Sequence, residues 1–354
     1  MKQDLLDLTI EETKSFAAAL GEKPYRGKQV FQWICRGAAG FEEMTDLPKA
    51  LRQRLVEKAV IGLPHVLEEQ ADPGDGTRKF LFGYDDAAVE SVFMKYSYGN
   101  SLCVSSQVGC KMGCVFCASA LGGFVRNLTA GEMMGQVLAA ERAAGEAVNH
   151  IVIMGMGEPF DNYGNVSRFL RLLHEPGGRN MSWRHLTVST CGIVPVMQRF
   201  AEEFPQVNLA VSLHRIDDEQ RSRLMPVNRR YPVAELLEAA RAYTEKTGRR
   251  ITFEYALIRG ENDRPRDIEA LIRSLRGMLC HVNLIPLNRV EESGLDGTDR
   301  ERAAQIAQQL TKAGIPATVR RQLGREIDGA CGQLRLRRQT GPERGTRPDK
   351  KSTP

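Results

Sequence analysis

This sequence contains no apolar run long enough to cross a membrane, and it is poor in cysteine. Its longest apolar stretches, such as positions 151–154, have the length of a strand, whereas a membrane-spanning helix needs about 20 apolar residues. Eight cysteines in 354 residues are too few for a secreted fold held together by disulfides. The N-terminus shows no basic start followed by a long apolar segment, as a secretory signal would. We therefore expect a cytoplasmic protein with reduced thiols and no membrane association.

Net charge is absent from most of the chain. The formal net charge is +5, and positions 335–354 alone hold seven Lys and Arg residues against two acidic ones, an excess equal to the whole. The charge of positions 1–334 therefore gives no evidence of nucleic-acid binding. We expect the basic tail, which is interrupted by Pro, Gly and Thr, to be disordered.

The most informative motif is a group of three closely spaced cysteines, Cys110, Cys114 and Cys117. Three thiolates at this spacing can hold three corners of a [4Fe–4S] cluster and leave the fourth iron without a protein ligand. An open iron site can bind and split a small molecule. The spacing C-x3-C-x2-C, with an aromatic residue before the last cysteine, is the signature of the radical S-adenosylmethionine (SAM) enzymes, which this chain resembles.

A structural zinc site is the alternative interpretation of these cysteines. Such a site needs four ligands, usually two separated C-x2-C pairs. Cys103 would have to be the fourth ligand, at an unusual distance for a zinc knuckle. The chain would then be a non-catalytic zinc or RNA-binding protein.

Strand-like and helix-like segments alternate from position 102 onward, which predicts a parallel sheet with right-handed crossovers. About six such units would form a partial (β/α)6 barrel of the TIM type, in the α/β class, rather than a closed eightfold barrel. The predicted strands span 102–107, 150–154, 186–189, 207–213, 251–257, 282–285 and 317–320, and the predicted helices span 130–144, 233–246, 266–275 and 300–313.

The first part of the chain has a different pattern. A capping box from Thr9 to Glu12 opens a first helix, and two more are expected at 27–36 and from Leu47 to 58. Short apolar runs between 65 and 92, separated by turn signals, predict a small antiparallel sheet. We therefore expect an N-terminal domain at 1–88, an α/β core at 89–334 and a basic tail at 335–354.

Polar motifs follow successive predicted strands, where barrels of parallel strands place their chemistry. Each motif alone is more often a helix cap or a satisfied loop group, but together they are typical of the contacts of one ligand. After the second, third, fourth and sixth strands stand Met154-Gly-Met-Gly157-Glu158-Pro159, Ser189-Thr190-Cys191-Gly192, Ser212-Leu213-His214 and Asn288.

Several independent blocks between about position 10 and Leu334 resemble the bacterial dual-specificity RNA methyltransferases that act on C2 of adenosine. They are Ser-x-Gln-x-Gly-Cys ending at Cys110, Gly122-Gly-Phe-x-Arg-Asn-Leu-Thr129, the Met-Gly-Met-Gly-Glu-Pro motif, Ile327-Asp-Gly-Ala-Cys331-Gly-Gln-Leu334, the stretch 25–33 and the stretch 44–48. The resemblance implies methylation of adenosine 2503 of 23S ribosomal RNA and of adenosine 37 of transfer RNA. The relatives that methylate C8 instead share these cysteines and remain an alternative.

The resemblance also implies the steps of the reaction and the residues that act in each. One SAM methylates Cys331, and a second SAM, on a [4Fe–4S] cluster held by the three cysteines, yields a 5′-deoxyadenosyl radical that activates the S-methyl group. Radical addition suits C2 of adenine, because this electron-poor carbon has no nucleophilic lone pair. Glu90 is implied as the proton acceptor and Cys103 as the thiol that releases the adduct, leaving a Cys103–Cys331 disulfide. Without the family, Glu90 would be read as a solvated carboxylate on the outer face of a strand and Cys103 as a small buried hydrophobe.

The roles of the domains, the ligand contacts and the partners follow from the same resemblance. It implies an accessory, RNA-binding domain at 1–88 and a radical SAM methyltransferase core at 89–334. Gly157 and Glu158 are implied at the amino group of SAM. The other implied SAM contacts are Ser189, Ser212, Leu213, His214 and Asn288. The implied partners are 23S rRNA, tRNA and a flavodoxin-type electron donor, and the enzyme is expected to be a monomer. In the second predicted helix, spacing favours Val30, Phe31 and Ile34 as core and Lys28, Gln32 and Arg36 as exposed.

Overall fold

A sheet of ten strands is the central element of the fold. The computed structural model of this chain describes residues 2–287, 294–321, 323–324 and 327. The strands are β1 (Gln3–Asp4), β2 (Ala59–Val60), β3 (His65–Ala71), β4 (Arg78–Tyr84), β5 (Ala87–Tyr96), β6 (Gly99–Cys103), β7 (Gln107–Gly109), β8 (Phe124–Asn127), β9 (His150–Ile153), β10 (Leu186–Thr190), β11 (Asn208–Ser212), β12 (Ile251–Leu257), β13 (Cys280–Pro286) and β14 (Ala317–Val319). The α-helices are α1 (Ile10–Ala19), α2 (Pro24–Cys35), α3 (Lys49–Lys58), α4 (Ala118–Leu121), α5 (Ala130–Ala144), α6 (Tyr163–His174), α7 (Val194–Glu203), α8 (Asp218–Leu224), α9 (Val233–Thr247), α10 (Pro265–Leu275) and α11 (Arg300–Lys312).

The order of strands in this sheet is β14, β13, β12, β11, β10, β9, β6, β5, β4, β3. The strands from β14 to β6 are parallel to their neighbours, and β5, β4 and β3 continue the sheet with antiparallel pairs. Six strand–helix units, from β6 with α5 to β13 with α11, precede β14. The predicted α/β fold with a partial (β/α)6 barrel is confirmed.

Local sequence signals account for most element bounds. Helix α5 has the predicted span because Thr129 and Glu132 form a capping box: the Glu132 N–H donates to Thr129 Oγ1 at 3.1 Å, and the Thr129 N–H donates to Glu132 Oε2 at 2.9 Å. The same device from Thr9 to Glu12 begins α1. Strand β12 also has the predicted bounds.

The prediction of one strand over 102–107 is wrong. Strand β6 ends at Cys103, and β7 leaves the large sheet to pair with β8. Between them, the Ser105 N–H donates to the side-chain Oε1 of Gln136 at 2.9 Å. Gln136 is buried and belongs to α5, 31 residues later in the chain. Its side chain takes the hydrogen bond that a neighbouring strand would otherwise accept from Ser105, so the strand is interrupted.

Apolar residues on the helix-facing side of the sheet form the main core. Leu102, Ile151, Val188 and Phe253 alternate with residues of the opposite face and pack with helix residues such as Val137. Each is fully buried, which contributes roughly 1.5–3 kcal/mol per side chain relative to exposure. We call the opposite face, which carries Glu90 and Cys103, the inner face.

The N-terminal helices form their own part of this core. Val30, Phe31 and Ile34 of α2 are buried, and Lys28 and Arg36 are exposed, as predicted. Gln32, also expected to be exposed, is half-buried. The antiparallel strands, however, do not form a separate sheet, because β5 pairs with β6 over residues 92–96 and 99–103. The expected domain boundary after residue 88 falls inside β5, and this division stays a prediction.

Candidate functional site

The loop after β7 carries the three cysteines of the motif. Cys110 follows β7 directly, and its N–H donates to the Gly123 carbonyl at 3.2 Å. Cys117 immediately precedes α4, and its N–H donates to the Cys114 carbonyl at 3.1 Å. All three side chains are half-buried and none is joined in a disulfide.

The thiols of the loop influence one another electrostatically. Burial, and then the neighbouring Cys117, raises the pKa of Cys110 to about 12. Burial and the other two cysteines raise the pKa of Cys114 further. No three acidic, His or Cys side chains among the described residues are arranged to hold a single metal ion. In a [4Fe–4S] cluster each cysteine binds a different iron, so three thiols that lie on one loop and interact electrostatically are a donor set that fits it. Binding would displace the thiol protons.

Glu158 ties the loop after β9 to the end of β10. Its Oε1 accepts hydrogen bonds from the Thr190 hydroxyl at 2.7 Å and the Phe160 N–H at 3.0 Å, and its Oε2 accepts from the Cys191 N–H at 2.8 Å. Burial raises the pKa of this carboxyl group, which the hydrogen bonds to its charged form oppose. Its predicted contact with the amino group of SAM stays a prediction.

Gln107 joins the same loop to the segment leading into the cysteines. Its Oε1 accepts the Glu158 N–H at 2.8 Å, and its Nε2 donates to Asn127 and Asp161 at 2.8 and 2.9 Å. Gly157 lies against this side chain with a φ of +103°, and a Cβ there would lie 2.6 Å from the Cβ of Gln107. Only glycine permits this close approach without strain.

His214 is buried at the end of β11 with a φ of +55°. Its Nδ1 accepts a hydrogen bond from the Ala256 N–H at 2.9 Å, so its Nε2 carries the proton. Burial, and then the cationic Arg221, lowers the pKa of His214 to about 3. Its ring meets Phe116 of the cysteine loop edge-on, with centroids 4.9 Å apart. A neutral imidazole of this kind can position a ligand but cannot exchange protons near neutral pH.

The other predicted SAM contacts lie at neighbouring strand ends. Ser189 is half-buried near the end of β10, and Ser212 is half-buried at the end of β11. Leu213 is fully buried, and its N–H donates to the Glu254 carbonyl at 3.0 Å. Asn288 lies outside the described residues. The structure thus gathers the predicted contacts at the carboxyl ends of β9, β10 and β11, and their role as SAM ligands stays a prediction.

Arg221 was missed by the sequence analysis. This fully buried side chain of α8 binds the ends of two strands, and burial lowers its pKa to about 10. Its hydrogen bonds go to the carbonyls of Leu213, Ser212 and Cys191 at 2.9, 2.9 and 3.0 Å and to Asn228 Oδ1 at 2.8 Å. The sequence offers only one hint, that Arg221 shares a helix face with Leu224, three residues later.

Glu90 and Cys103 both lie on the inner face. Cys103 stands opposite Val92 in the pairing of β6 with β5, and Glu90 precedes Val92 by two residues. Glu90 is 2% exposed, so its reading as a solvated carboxylate is wrong. Cys103 is buried beside Val92 and Leu323. Cys331 lies outside the described residues, so the proposed disulfide with Cys103 stays a prediction.

Two family models match this chain. One, described as the radical SAM superfamily, matches residues 104–275. The other, described as the N-terminal domain of ribosomal RNA large subunit methyltransferases, matches residues 3–61. In the described residues, no helix has the length and apolar character needed to span a membrane.

Curated relatives and a solved structure match almost the whole chain. A protein of Desulforamulus reducens named probable dual-specificity RNA methyltransferase RlmN is 50% identical over 95% of this chain and 97% of its own length. A protein of the same name from Clostridium perfringens is 48% identical over 94% of this chain and 96% of its own length. The crystal structure of a radical SAM methyltransferase from Sphaerobacter thermophilus is 48% identical, covers 94% of this chain and 98% of its own, and superposes with a TM-score of 0.90. This chain therefore belongs to the dual-specificity RNA methyltransferase family of radical SAM enzymes.

Proposed function

We propose that this enzyme methylates C2 of adenosine 2503 in 23S rRNA and of adenosine 37 in tRNA, with Cys331 carrying the methyl group. The observation that supports this reaction best is the position of Glu90 and Cys103. Both are buried on the inner face, on adjacent strands, in the strand pair that leads to the cysteine loop. The proposed chemistry needs a base and a thiol in one place.

The proposed cofactors are a [4Fe–4S] cluster on Cys110, Cys114 and Cys117 and two molecules of SAM per turnover. When bound, the cluster and SAM would supply the carbon radical that activates the S-methyl group of Cys331. The protein residues act around that event. Glu158 and His214 belong to the strand ends where SAM would bind, and Gly157 lets the main chain approach it closely.

Release of the product uses the two inner-face residues. After the methylene carbon has joined C2 and one electron has passed to an acceptor, which the proposed iron–sulfur cluster would supply, Glu90 accepts the C2 proton. The thiolate of Cys103 then attacks the sulfur of Cys331, and the bond from that sulfur to the methylene carbon breaks. Its electron pair stays on the carbon, which gains a proton and becomes the methyl group, while a Cys103–Cys331 disulfide forms.

Partners and location follow from the same proposal. The substrates are 23S rRNA and tRNA, and the target base must leave its stack to reach Cys331. We further propose a flavodoxin-type electron donor, a cytoplasmic location and a monomeric enzyme. Exposed cations in and directly after α2, Lys28 and Arg36, are proposed RNA contacts.

The test is mass spectrometry of nucleosides from an rRNA fragment and a tRNA treated with the reconstituted enzyme. We expect 2-methyladenosine in both, and none from a Cys331→Ala variant that still binds its cluster. Detection of 8-methyladenosine instead would establish the alternative regiochemistry. A colourless zinc protein with no methyl transfer would contradict the proposal altogether.

A further inference from the structure

A buried ion pair joins the proposed base to a lysine of the neighbouring strand. Lys79 Nζ lies 2.9 Å from Glu90 Oε2, and the two side chains are 0% and 2% exposed. The lysine belongs to β4 and stands opposite Val92 of β5, whose other neighbour is Cys103 of β6. Lys79, Glu90 and Cys103 therefore occupy one face across three adjacent strands.

The main chain of Glu90 is held as firmly as its side chain. Its carbonyl accepts a hydrogen bond from the Ser105 hydroxyl at 2.6 Å, and that hydroxyl accepts the Met156 N–H at 2.9 Å. The base is thus connected at one end to the lysine and at the other to the loop that precedes Gly157. An ion pair built so rigidly restricts where the carboxylate can point.

Burial gives the lysine a chemical role beside a base at this place. A carboxylate removed from water without a counter-charge takes up a proton, because the neutral acid is far easier to bury. A carboxylic acid cannot then accept the C2 proton. Buried ion pairs add little to stability compared with apolar residues of the same volume, so packing alone does not explain a lysine in this core.

We propose that Lys79 is the positioning residue of the base: its ammonium group keeps Glu90 in the carboxylate form and fixes Oε2 until the RNA adduct is deprotonated. This inference rests on the proposed function. In the step itself, the C2–H bond breaks, its electron pair stays in the adenine ring, and the proton binds Glu90.

The test compares four full-length reconstituted variants with the wild type: Lys79→Met, Lys79→Arg, Glu90→Gln and the double variant Lys79→Met/Glu90→Gln. In K79M we expect normal S-methylation of Cys331, seen by peptide mass spectrometry, and retained cleavage of SAM. Turnover should fall about 10²-fold or more, the usual contribution of a general base. The covalent protein–RNA adduct should accumulate, visible as a shifted band on a denaturing gel.

The pattern across the variants separates positioning from packing. K79R keeps a positive charge beside Glu90 and should resolve the adduct, within about tenfold of the wild-type rate, because a nearby opposite charge favours the carboxylate form. The double variant should be no slower than E90Q, since the lysine acts through Glu90. Arg78→Met is the matched control on the same strand, because Arg78 is paired at the surface with Glu69 and should turn over normally.

Each remaining outcome decides between the alternatives. If K79M turns over at the wild-type rate without adduct, or if the double variant is slower than E90Q by a further large factor, the inference is wrong. If K79M does not fold, the comparison of the double variant with E90Q carries the test, because both charges are then absent. If the wild type itself makes no methyladenosine, the proposed function fails and not the role of Lys79 alone.

Discussion

The side-chain amide of Gln136 holds both main-chain groups of Ser105. Its Oε1 accepts the Ser105 N–H at 2.9 Å, and its Nε2 donates to the Ser105 carbonyl at 3.0 Å. The same Oε1 also accepts the Ser91 hydroxyl at 2.9 Å. A fully buried amide of α5 thereby replaces a strand partner between β6 and β7, and it fixes the point at which the chain turns toward the cysteine loop.

Replacing Gln136 with Leu should destabilise the protein strongly. The two main-chain groups of Ser105 would be left buried and unpaired, at about 1–3 kcal/mol each. Urea unfolding followed by circular dichroism measures the loss. Gln308→Leu on the exposed face of α11 is the control, and it should change the free energy of unfolding by less than about 0.5 kcal/mol. Equal urea concentrations at the unfolding midpoint for the two variants would contradict the role assigned to Gln136.

Gly157→Ala should weaken SAM binding with little change in the fold elsewhere. The added Cβ would meet Gln107 at 2.6 Å in a main-chain conformation that L-residues avoid, so the Gln107–Glu158 hydrogen bond should break. We expect the Kd for SAM, measured calorimetrically on cluster-loaded enzyme, to rise at least about tenfold, equivalent to about 1.4 kcal/mol. Gly164→Ala is the control, since its Cβ would meet nothing within 4 Å. Unchanged SAM affinity in G157A would show that the loop containing Gly157 is not part of the SAM-binding site.

His214 should make the protein less stable as the pH falls. Its pKa is lowered to about 3 in the folded state by burial and by Arg221, whereas an unfolded histidine titrates near 6.5. Between these values the unfolded chain binds the extra proton, so stability is full above about pH 6.5 and declines toward pH 3. Thermal unfolding at several pH values should show a smaller decline for His214→Gln than for the wild type. Parallel curves would mean that the imidazole is not buried in its neutral form.

Arg221→Met should loosen the ends of β10 and β11. Its guanidinium group donates hydrogen bonds to three main-chain carbonyls and to the side-chain oxygen of Asn228. Each acceptor left unpaired costs about 1–3 kcal/mol. Lysine cannot replace it, because a single ammonium group does not span these directions. Arg223→Met on the same helix is the control, since its ion pair with Glu219 is exposed and contributes at most about 0.5 kcal/mol. If chemical denaturation gives R223M a lower free energy of unfolding than R221M, this assignment is wrong.

Part of the site was predictable because it is encoded by neighbours in sequence. The spacing of Cys110, Cys114 and Cys117, the capping box at Thr129, and polar residues at strand ends are all local patterns, and the structure places them as expected. The assignments of Glu90 and Cys103 came instead from the family resemblance. Their burial on one face was not readable from alternation alone, because alternation does not say which face is covered.

The sequence by itself determined the class of fold, the cluster motif and several helix starts, such as those of α5, α9 and α11. These features depend on hydrophobic period and caps, which involve residues within one turn or one strand of each other. Only the tertiary structure decided that β5 joins β6, that Gln136 interrupts a strand, and that Lys79 meets Glu90. These contacts link residues of different elements. They depend on strand register and on which charged side chains are buried next to each other. No local sequence pattern contains that information.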